Sequence, residues 1–340
     1  MGGKSTLKDL AKILNLSVST VSKAINNSPE ISDVTKDKVR SIALLNNYSP
    51  NKLAQSLKSQ RTKTIGVIIP DVLMTFFAMA IHGIEQTANS YGYKVIICLS
   101  NESLEKEAES INTLVNGSVD GLIMSLSKET QSTNDYAHFE EAIRYNTPIV
   151  LFDRTSDLLI CDKIKIDDTL AAKEATEHLL KIGCRNIIFL TTIYGTSVGE
   201  KRRLGYLQAI ENTGVEDTII NIKDYAQFEC ILIEALKQGK IDGIVAADEL
   251  SAISTIKYSI KHSYKIPEDI SVIGFTNGVL GENFVPSLTV VDQHATMQGS
   301  LAAETLIKRL EKKIPVEPVH KVLKTSIIER ESTLPLFYAK

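Results

Sequence analysis

The stretch 16–26, LSVSTVSKAIN, carries polar and apolar side chains at a spacing that suits contact with DNA bases. If a helix begins after Ser17, then Val21, Ala24 and Ile25 share one face. The opposite face carries Val18, Ser19, Ser22, Lys23 and Asn26. A helix with a small apolar back and a short, singly cationic front fits the major groove, where base edges present hydrogen-bond donors and acceptors.

Neighbouring segments would position this helix. A preceding helix has an apolar stripe formed by Leu7, Leu10, Ala11 and Leu14. The link between the two helices, at 15–16, is as short as a helix-turn-helix unit requires. A third amphipathic segment, 34–45, can cover both helices with three residues: Val39, Ile42 and Leu45. Because ordinary helical hairpins share this pattern, the first two helices alone leave both interpretations open.

The charge of the chain is divided unevenly. Residues 1–64 contain 11 Lys and Arg against 4 Asp and Glu, and the remaining residues contain 27 against 37. A basic segment joined to an acidic remainder fits contact with phosphate groups at one end of the chain. The alternative interpretation is a solvated surface that happens to be basic.

Residues 48–58 form a separate short element with Leu53, Ala54 and Leu57 on one face. It begins with Pro50, which is tolerated in a first helical turn. Because so short a helix is marginal in water, we expect it to fold only against a symmetry-related copy and DNA. A polar linker follows at 59–63.

From Thr64 onward, apolar runs alternate with helical segments. The runs form a first series at 65–69, 95–99, 121–124 and 149–152 and a second series at 187–190, 241–246 and 270–275. The helices between them are predicted at 76–90, 104–116, 136–145, 170–182, 200–212, 228–237 and 251–262. Continuous apolar strands separated by helices predict parallel sheets covered on both faces, so two series predict two α/β lobes. Later runs, at 288–291 and 319–328, would return across both lobes around a helix at 296–312.

Several classes of protein are disfavoured. The cysteines lack CxxC spacing, which favours reduced thiols over a disulfide scaffold or a zinc site: Cys98, Cys161, Cys184 and Cys230. Since no apolar run is long enough to span a membrane and no signal peptide is evident, we expect a cytoplasmic protein without membrane contact. The six histidines are scattered, no GxGxxG spacing occurs and no nucleophile–base constellation is evident. We therefore expect no metal, no cofactor and no enzymatic activity.

Four stretches then identify a resemblance: TLKDLA at 6–11, LSVSTVSKAIN at 16–26, NYSPNKLAQSL at 47–57 and TIGVIIPD at 64–71. In type, order and spacing they strongly resemble the LacI/GalR (lactose-repressor) family of bacterial transcription regulators, and the resemblance covers nearly the whole chain. It implies an all-α helix-turn-helix head and a periplasmic-binding-protein-like α/β core of two doubly wound parallel-sheet lobes.

The resemblance also sets the expected domain boundaries. The DNA-binding domain covers 1–58 with a hinge helix at about 49–58, and the linker covers 59–63. The effector-binding and dimerisation domain covers 64–340. Its lobes are expected at about 64–162 with 293–320, and at about 163–292 with 321–335. Because no long heptad tail follows Ser332, we expect no tetramerising coiled coil.

Base contact is assigned by the resemblance to the front of the recognition helix. Lys23 stands where the family usually has an arginine that contacts guanine, so the charge is kept but the bidentate fork is lost. Val18 and Ser19 match the positions that most distinguish one operator from another. Phosphate or backbone contacts are expected from Thr6, Ser17, Thr20, Ser22 and Asn26. The alternative for each is a solvated helix surface.

The hinge helix is expected to contact the minor groove through Asn51, Ala54 and Leu57. Leu57 matches the family leucine that wedges between base steps and kinks the operator. The alternative for Leu57 is an ordinary core position.

An effector is expected between the lobes. Arg202 matches the family arginine that holds ligand hydroxyls or carboxylate, with Arg203 as its solvent-facing competitor. Asp153 ends a strand and can accept from sugar hydroxyls, and Tyr225 matches an aromatic residue that stacks on the ligand ring.

Other ligand-site assignments remain open between two roles. Asp248 matches a cleft carboxylate, but it could equally cap the helix that starts near Ser251. Phe76 and Phe77 are expected on the first-lobe wall, although a pair of phenylalanines at a helix start is more often core.

One departure from the family concerns the stretch 274–277, GFTN, where Gly-Tyr/Phe-Asp-Asp is usual. Thr276 replaces the ligating carboxylate, and Asn277 follows it. A site that loses one charge should prefer a neutral hydroxylated ligand or hold its sugar in a different orientation.

The expected function is that of a homodimeric repressor on a pseudo-palindromic double-stranded operator, controlled by a small molecule, most simply a carbohydrate. The resemblance implies that lobe closure on the small molecule shifts the dimer interface and changes the spacing of the hinge helices. The sequence leaves open whether the ligand is an inducer or a corepressor, whether a protein partner replaces it, and whether the protein activates. A sugar receptor without a DNA role would instead predict a secretory signal and no basic head.

Overall fold

The computed structural model describes residues 5–48 and 61–335. The chain divides into two compact units, Met1–Thr62 and Lys63–Lys340, which we call the head and the body. The predicted hinge contacts Asn51, Ala54 and Leu57 lie outside the described residues.

The head contains three helices: α1 (Leu7–Leu14), α2 (Val18–Ile25) and α3 (Asp33–Leu45). Each begins at a side-chain cap, because Thr6, Ser17 and Ser32 accept hydrogen bonds from backbone N–H groups of the first turn. These caps satisfy backbone donors that have no partner within the helix. The sequence therefore sets all three helix starts locally.

The hydrophobic core of the head joins all three helices through Leu10, Ala11, Leu14, Val21, Ala24 and Val39. Ile42 packs against this cluster, as predicted. Leu45 does not, and it is 77% exposed. Six residues beyond Val39, its side chain points about 120° away from the buried face, so the prediction of a buried Leu45 was wrong.

The first lobe of the body is a parallel sheet in the order β11-β5-β4-β3-β1-β2. Its strands are β1 (Thr64–Ile69), β2 (Lys94–Leu99), β3 (Gly121–Met124), β4 (Ile149–Phe152), β5 (Asp162–Ile166) and β11 (His320–Leu323). Its helices are α4 (Thr75–Ser90), α5 (Leu104–Val115), α6 (Lys128–Thr133), α7 (Phe139–Arg144) and α13 (Ala295–Leu310).

Alternate residues of β1 enter different hydrophobic clusters. Ile65, Val67 and Ile69 pack with α4 and α13, whereas Ile68 packs with α5 and α7. Because successive side chains of a strand point to opposite faces, this division means that helices cover both faces of the sheet.

The second lobe is a sheet in the order β12-β10-β9-β8-β6-β7, parallel except for β12, which runs antiparallel to β10. Its strands are β6 (Ile187–Thr191), β7 (Thr218–Asn221), β8 (Gly243–Ala246), β9 (Ser271–Phe275), β10 (Thr289–Asp292) and β12 (Ser326–Ile328). Its helices are α8 (Asp168–Lys181), α9 (Ser197–Ile210), α10 (Phe228–Gln238), α11 (Glu249–Lys261) and α12 (Val279–Asn283), with a 3₁₀ turn at Tyr225–Gln227. The predicted two-lobed α/β architecture is therefore confirmed.

The chain crosses between the lobes after β5, after β10 and after β11. The first sheet thus extends past the predicted boundaries at 162 and 320, because β5 and β11 both belong to it. Strand β5 was not predicted from its sequence, DKIKI, because Lys163 and Lys165 interrupt the apolar pattern. Within the described ranges, no helix is both long and apolar enough to cross a membrane.

Candidate functional site

The exposed face of α2 is built by a local cap and a buried back. Ser17 Oγ accepts a hydrogen bond from the Thr20 backbone N–H at 3.0 Å and fixes the first turn. Val21 and Ala24 are fully buried against the other head helices. Their burial leaves the opposite face in solvent, with Val18, Ser19, Lys23 and Asn26 exposed and Ser22 half-buried.

Two of the predicted phosphate contacts also hold helix ends together. Thr6 caps α1 and exchanges hydrogen bonds with Asp9, its backbone N–H donating to Asp9 Oδ2 at 2.9 Å. Ser17 caps α2 by accepting from the Thr20 backbone N–H. Asn26 Nδ2 donates to the Ser22 carbonyl at 2.9 Å. The predicted head residues thus lie at the start of α1, at the start of α2 and on or at the end of the exposed face of α2. Their contact with DNA stays a prediction.

Lys23 forms an ion pair with Glu30, which lies in the loop between α2 and α3. The sequence analysis did not single out Glu30. Both side chains are exposed, by 46% for Lys23 and 65% for Glu30. The recognition face of α2 therefore carries one cation whose charge is balanced by a carboxylate seven residues later.

In the body, a cavity of about 400 Å³ lies between the two lobes at the carboxyl ends of their strands. The first lobe contributes Asp71, Leu73, Met74, Thr75, Phe76 and Glu102. The second lobe contributes Thr192, Ile193, Tyr225, Asp248, Glu249, Leu250, Thr276 and Leu280. Such a crevice is the usual ligand site of open parallel sheets.

Four of the predicted effector residues line this cavity: Phe76, Tyr225, Asp248 and Thr276. Asp248 Oδ1 also accepts from the Ser251 backbone N–H at 2.8 Å, and Oδ2 accepts from Thr192 Oγ1 at 2.6 Å. Asp248 thus caps α11 and also lines the cavity, and its contact with an effector stays a prediction.

The hydroxyl groups of Tyr225 and Thr276 have different hydrogen-bonding roles in the cavity. Burial, and secondarily the Asp248 carboxylate, raise the pKa of Tyr225, so its hydroxyl stays protonated and can donate. Thr276 adopts a left-handed backbone conformation with φ +79°. Its Oγ1 donates to Gln293 Oε1 at 2.8 Å, which leaves the hydroxyl oxygen as an acceptor.

Two predicted residues lie away from the cavity lining. Phe77 is buried in the first-lobe core, edge-on to Phe152 with ring centroids 6.2 Å apart. The side chain of Asn277 accepts from Arg330 and lines a separate surface pocket. Phe77 thus has the core position that the sequence analysis named as its alternative.

Arg202 and Asp153 occupy a buried charged cluster next to the cavity. Arg202 Nε donates to Asp168 Oδ1 at 2.9 Å, and Nη1 donates to the Ala247 carbonyl at 2.6 Å. The guanidinium also lies 3.9 Å from the centroid of the Phe275 ring. Ala247 and Phe275 immediately precede the cavity residues Asp248 and Thr276, so the cluster is one residue removed from the lining.

Asp168 places a second carboxylate near Asp153. Burial, and then the charge of Asp168, raise the pKa of Asp153 from 3.8 to about 6. Burial also raises the pKa of Asp168, although the adjacent Arg202 opposes that shift. Asp153 and Arg202 are both at least nine-tenths buried. A ligand could reach either of them only by displacing their present neighbours.

Among the described residues, the cavity lining contains four carboxylates and no Lys, Arg or His: Asp71, Glu102, Asp248 and Glu249. Only one of them forms an ion pair within the described part of the chain, between Glu102 and Arg154 Nη1 at 2.7 Å. Asp71, Glu102 and Glu249 were not among the residues predicted from the sequence. Each follows a strand by two or three residues, so treating every strand end as a candidate would have found them.

The lobes also touch beside the cavity. Gln131 Oε1 of α6 accepts from the Ser197 backbone N–H of α9 at 2.8 Å. Lys128 Nζ lies 3.6 Å from the centroid of the Tyr194 ring. These are a hydrogen bond and a cation–π contact between lobes, and opening of the cleft would break both.

No group of His, Cys, Asp and Glu in residues 5–48 and 61–335 could hold a metal ion. The four cysteines are free thiols.

Two family models match the chain. The model "Bacterial regulatory proteins, lacI family" matches residues 6–51. The model "Periplasmic binding protein-like domain" matches residues 176–333. They fall on the head and on most of the second lobe.

Curated relatives match along their whole length. The ribose operon repressor of Halalkalibacterium halodurans is 30% identical over 97% of both chains. The transcriptional regulator DegA of Bacillus subtilis is 32% identical over 98% of this chain and 99% of its own.

Solved structures share the fold. The lac repressor dimer bound to operator and the anti-inducer ONPF superposes with a TM-score of 0.87 at 21% identity, covering 98% of this chain and all of that chain. A ribose-bound LacI family regulator from Enterococcus faecium superposes with a TM-score of 0.71 at 24% identity, covering 80% of this chain and 99% of that chain.

Proposed function

This chain belongs to the LacI family of bacterial regulatory proteins and is a DNA-binding transcriptional regulator, and from that premise we propose a homodimeric repressor controlled by a carbohydrate bound between its lobes. Its relatives are regulators rather than enzymes. We place its action in the cytoplasm, where operator DNA is found.

The exposed front of α2 carries the DNA-binding part of the proposal. Its back is buried, so the front alone can face a groove. Lys23 supplies the charged donor, while Val18 and Ser19 supply a methyl surface and a hydroxyl for base edges. Two copies of the chain would present two such helices to the half-sites of a pseudo-palindrome.

Replacing Lys23 with alanine should therefore weaken specific binding more than nonspecific binding. We expect the ratio of the two affinities to fall about five- to tenfold, since one base contact is lost. The measurement is fluorescence anisotropy on a selected operator and on a scrambled duplex at matched salt. Lys38→Ala, which removes an exposed lysine of α3, is the charge-matched control. An unchanged ratio in Lys23→Ala would reassign base recognition.

The cavity carries the effector part of the proposal. Hydroxyl, carboxylate and aromatic side chains line it, a combination that suits the hydroxyls and apolar face of a sugar. Because no cation lines it in the part of the chain that the structure describes, we expect neutral sugars to bind and phosphorylated sugars to be rejected. Three structural neighbours hold bound sugars, which are cellobiose, D-xylulofuranose and ribose.

A thermal-shift screen of the full chain against neutral sugars and their phosphates tests this assignment. At 100 times the dissociation constant a ligand stabilises the folded state by about 2.7 kcal/mol, which should raise Tm by roughly 5–10 °C. Thr276→Val, which keeps the shape but removes a hydroxyl, should weaken the response. Stabilisation by the phosphates alone would contradict the assignment.

The edge strand β2 supports the proposed dimer. Ile96 and Ile97 point to opposite faces of the sheet, yet they are 41% and 45% exposed. An edge strand that is apolar on both faces invites pairing or burial by another chain. We propose that a second copy of the chain covers this edge.

Ile97→Glu should therefore dissociate the dimer. Burying an unpaired carboxylate in an apolar interface costs several kcal/mol, so we expect the dimer dissociation constant to rise at least about a hundredfold. Sedimentation velocity over a concentration series measures it. Ile143→Glu, on an exposed apolar residue of α7, is the control. A dimer that survives Ile97→Glu unchanged would move the interface elsewhere.

A further inference from the structure

The loop between α2 and α3 places a carboxylate on the recognition face. Glu30 bonds Lys23 across seven residues, and Lys23 is the single cation on the front of α2. This inference rests on the proposed function, because it concerns how Lys23 meets DNA.

The other carboxylates of the head serve their own helices. Asp9 completes the cap of α1. Asp33 and Asp37 pair with cations of the same helix, Lys36 at 3.0 Å and Arg40 at 3.5 Å. The contact of Glu30 instead joins a loop to the recognition helix. Because Lys23 and Glu30 are both exposed, their ion pair contributes little to the stability of the fold. A role in DNA binding explains the position of Glu30 better.

A lysine at this position has a geometric weakness. Its ammonium is a flexible point charge, and a phosphate attracts it as readily as a base edge does. The ammonium has three donors, and Glu30 occupies one of them. The remaining two can still reach neutral acceptors such as the O6 and N7 atoms of guanine. However, phosphates attract the Lys23 ammonium less strongly when Glu30 balances its charge.

We propose that Glu30 is a positioning residue that orients Lys23 towards base edges and withholds it from phosphate groups. The pair thereby supplies part of the orientation that the planar fork of an arginine would have. Removing the carboxylate frees the ammonium to contact phosphate on any sequence. Glu30 therefore lowers nonspecific affinity while the operator contact is kept.

Glu30→Gln in the full chain tests this role, with affinities for a selected operator and a scrambled duplex measured across a salt series. We expect nonspecific affinity to rise about three- to tenfold and its log–log salt slope to steepen by roughly 0.9, the value of one added phosphate contact. Operator affinity should stay constant or fall, so the specificity ratio falls. Glu30→Asp should recover part of that ratio.

Two controls separate positioning from bulk charge. Asp37→Asn changes the head charge equally and should shift both affinities by the same factor. In a Lys23→Ala background, Glu30→Gln should also change the operator affinity and the nonspecific affinity by the same factor. If Glu30→Gln behaves like Asp37→Asn in the natural background, or changes nothing, the positioning role is refuted. If the natural protein itself fails to discriminate operator from scrambled DNA, the proposed function fails instead.

Discussion

Arg202→Met is expected to lower the free energy of unfolding of the body by about 3–5 kcal/mol. The substitution leaves the buried Asp168 without its cation and with Asp153 still nearby. For a unit of this size, the loss corresponds to a fall in Tm of about 10 °C. Chemical denaturation with a fluorescence or circular dichroism readout measures it.

The neighbouring Arg203 provides a matched control. It pairs on the surface with Glu200 at 2.9 Å, so Arg203→Met should cost less than about 1 kcal/mol. Adding Asp168→Asn to Arg202→Met should recover much of the lost stability, because the uncompensated charge is removed. Equal effects of the two arginine substitutions would show that the Arg202–Asp168 pair contributes nothing of its own.

This prediction changes how a ligand-binding experiment on Arg202 must be interpreted. The family resemblance implies that Arg202 clamps the ligand, whereas in the structure its donors are bound to Asp168 and Ala247. Loss of effector response in an Arg202 variant counts as evidence for ligand contact only if the variant is folded. Arg202→Met with Asp168→Asn is the suitable background for that test.

Asp153→Asn is expected to stabilise the protein at neutral pH. Burial and Asp168 raise the pKa of Asp153 from 3.8 to about 6. Between these values the folded state holds a proton that the unfolded state has lost, so stability falls as pH rises through this window. A difference of about two pKa units corresponds to roughly 3 kcal/mol, and asparagine avoids this penalty.

Unfolding free energies at pH 4 and pH 7.5 measure the effect. At pH 7.5 the unfolding free energy of Asp153→Asn should exceed that of the natural protein by up to about 3 kcal/mol. Near pH 4 this difference should disappear. Asp217→Asn, on an exposed carboxylate, should show no such dependence. A loss of stability at both pH values would mean that Asp153 is held by interactions specific to its carboxylate.

The structure of the head could be predicted closely because short stretches of sequence determine where its helices begin and which of their faces are buried. The cap at Ser17 and the spacing of Val21 and Ala24 determine where α2 starts and which face is buried. Leu45 shows the limit of this reasoning. Apolar character predicts burial, but the helical angle at the end of α3 turns that side chain into solvent.

The body was less predictable where long-range contacts decide the outcome. β5 is a strand because β4 and β11 pair with it on both sides, and its own lysines hide the pattern. Asp168 is 34 residues from Arg202 in the chain, and the local sequence around either residue does not predict that the two form a pair. The family resemblance supplied Arg202 as a functional residue but not the buried pair that now holds it.

We expect one molecule bound in the body to change the affinity of the head for operator DNA. The direct test is to measure operator affinity with and without the sugar that stabilises the chain, and sugar affinity with and without operator. Linkage requires the two factors to be equal, and we expect them to lie between about 5 and 150. A sugar that binds the cavity and leaves operator affinity unchanged would contradict the claim.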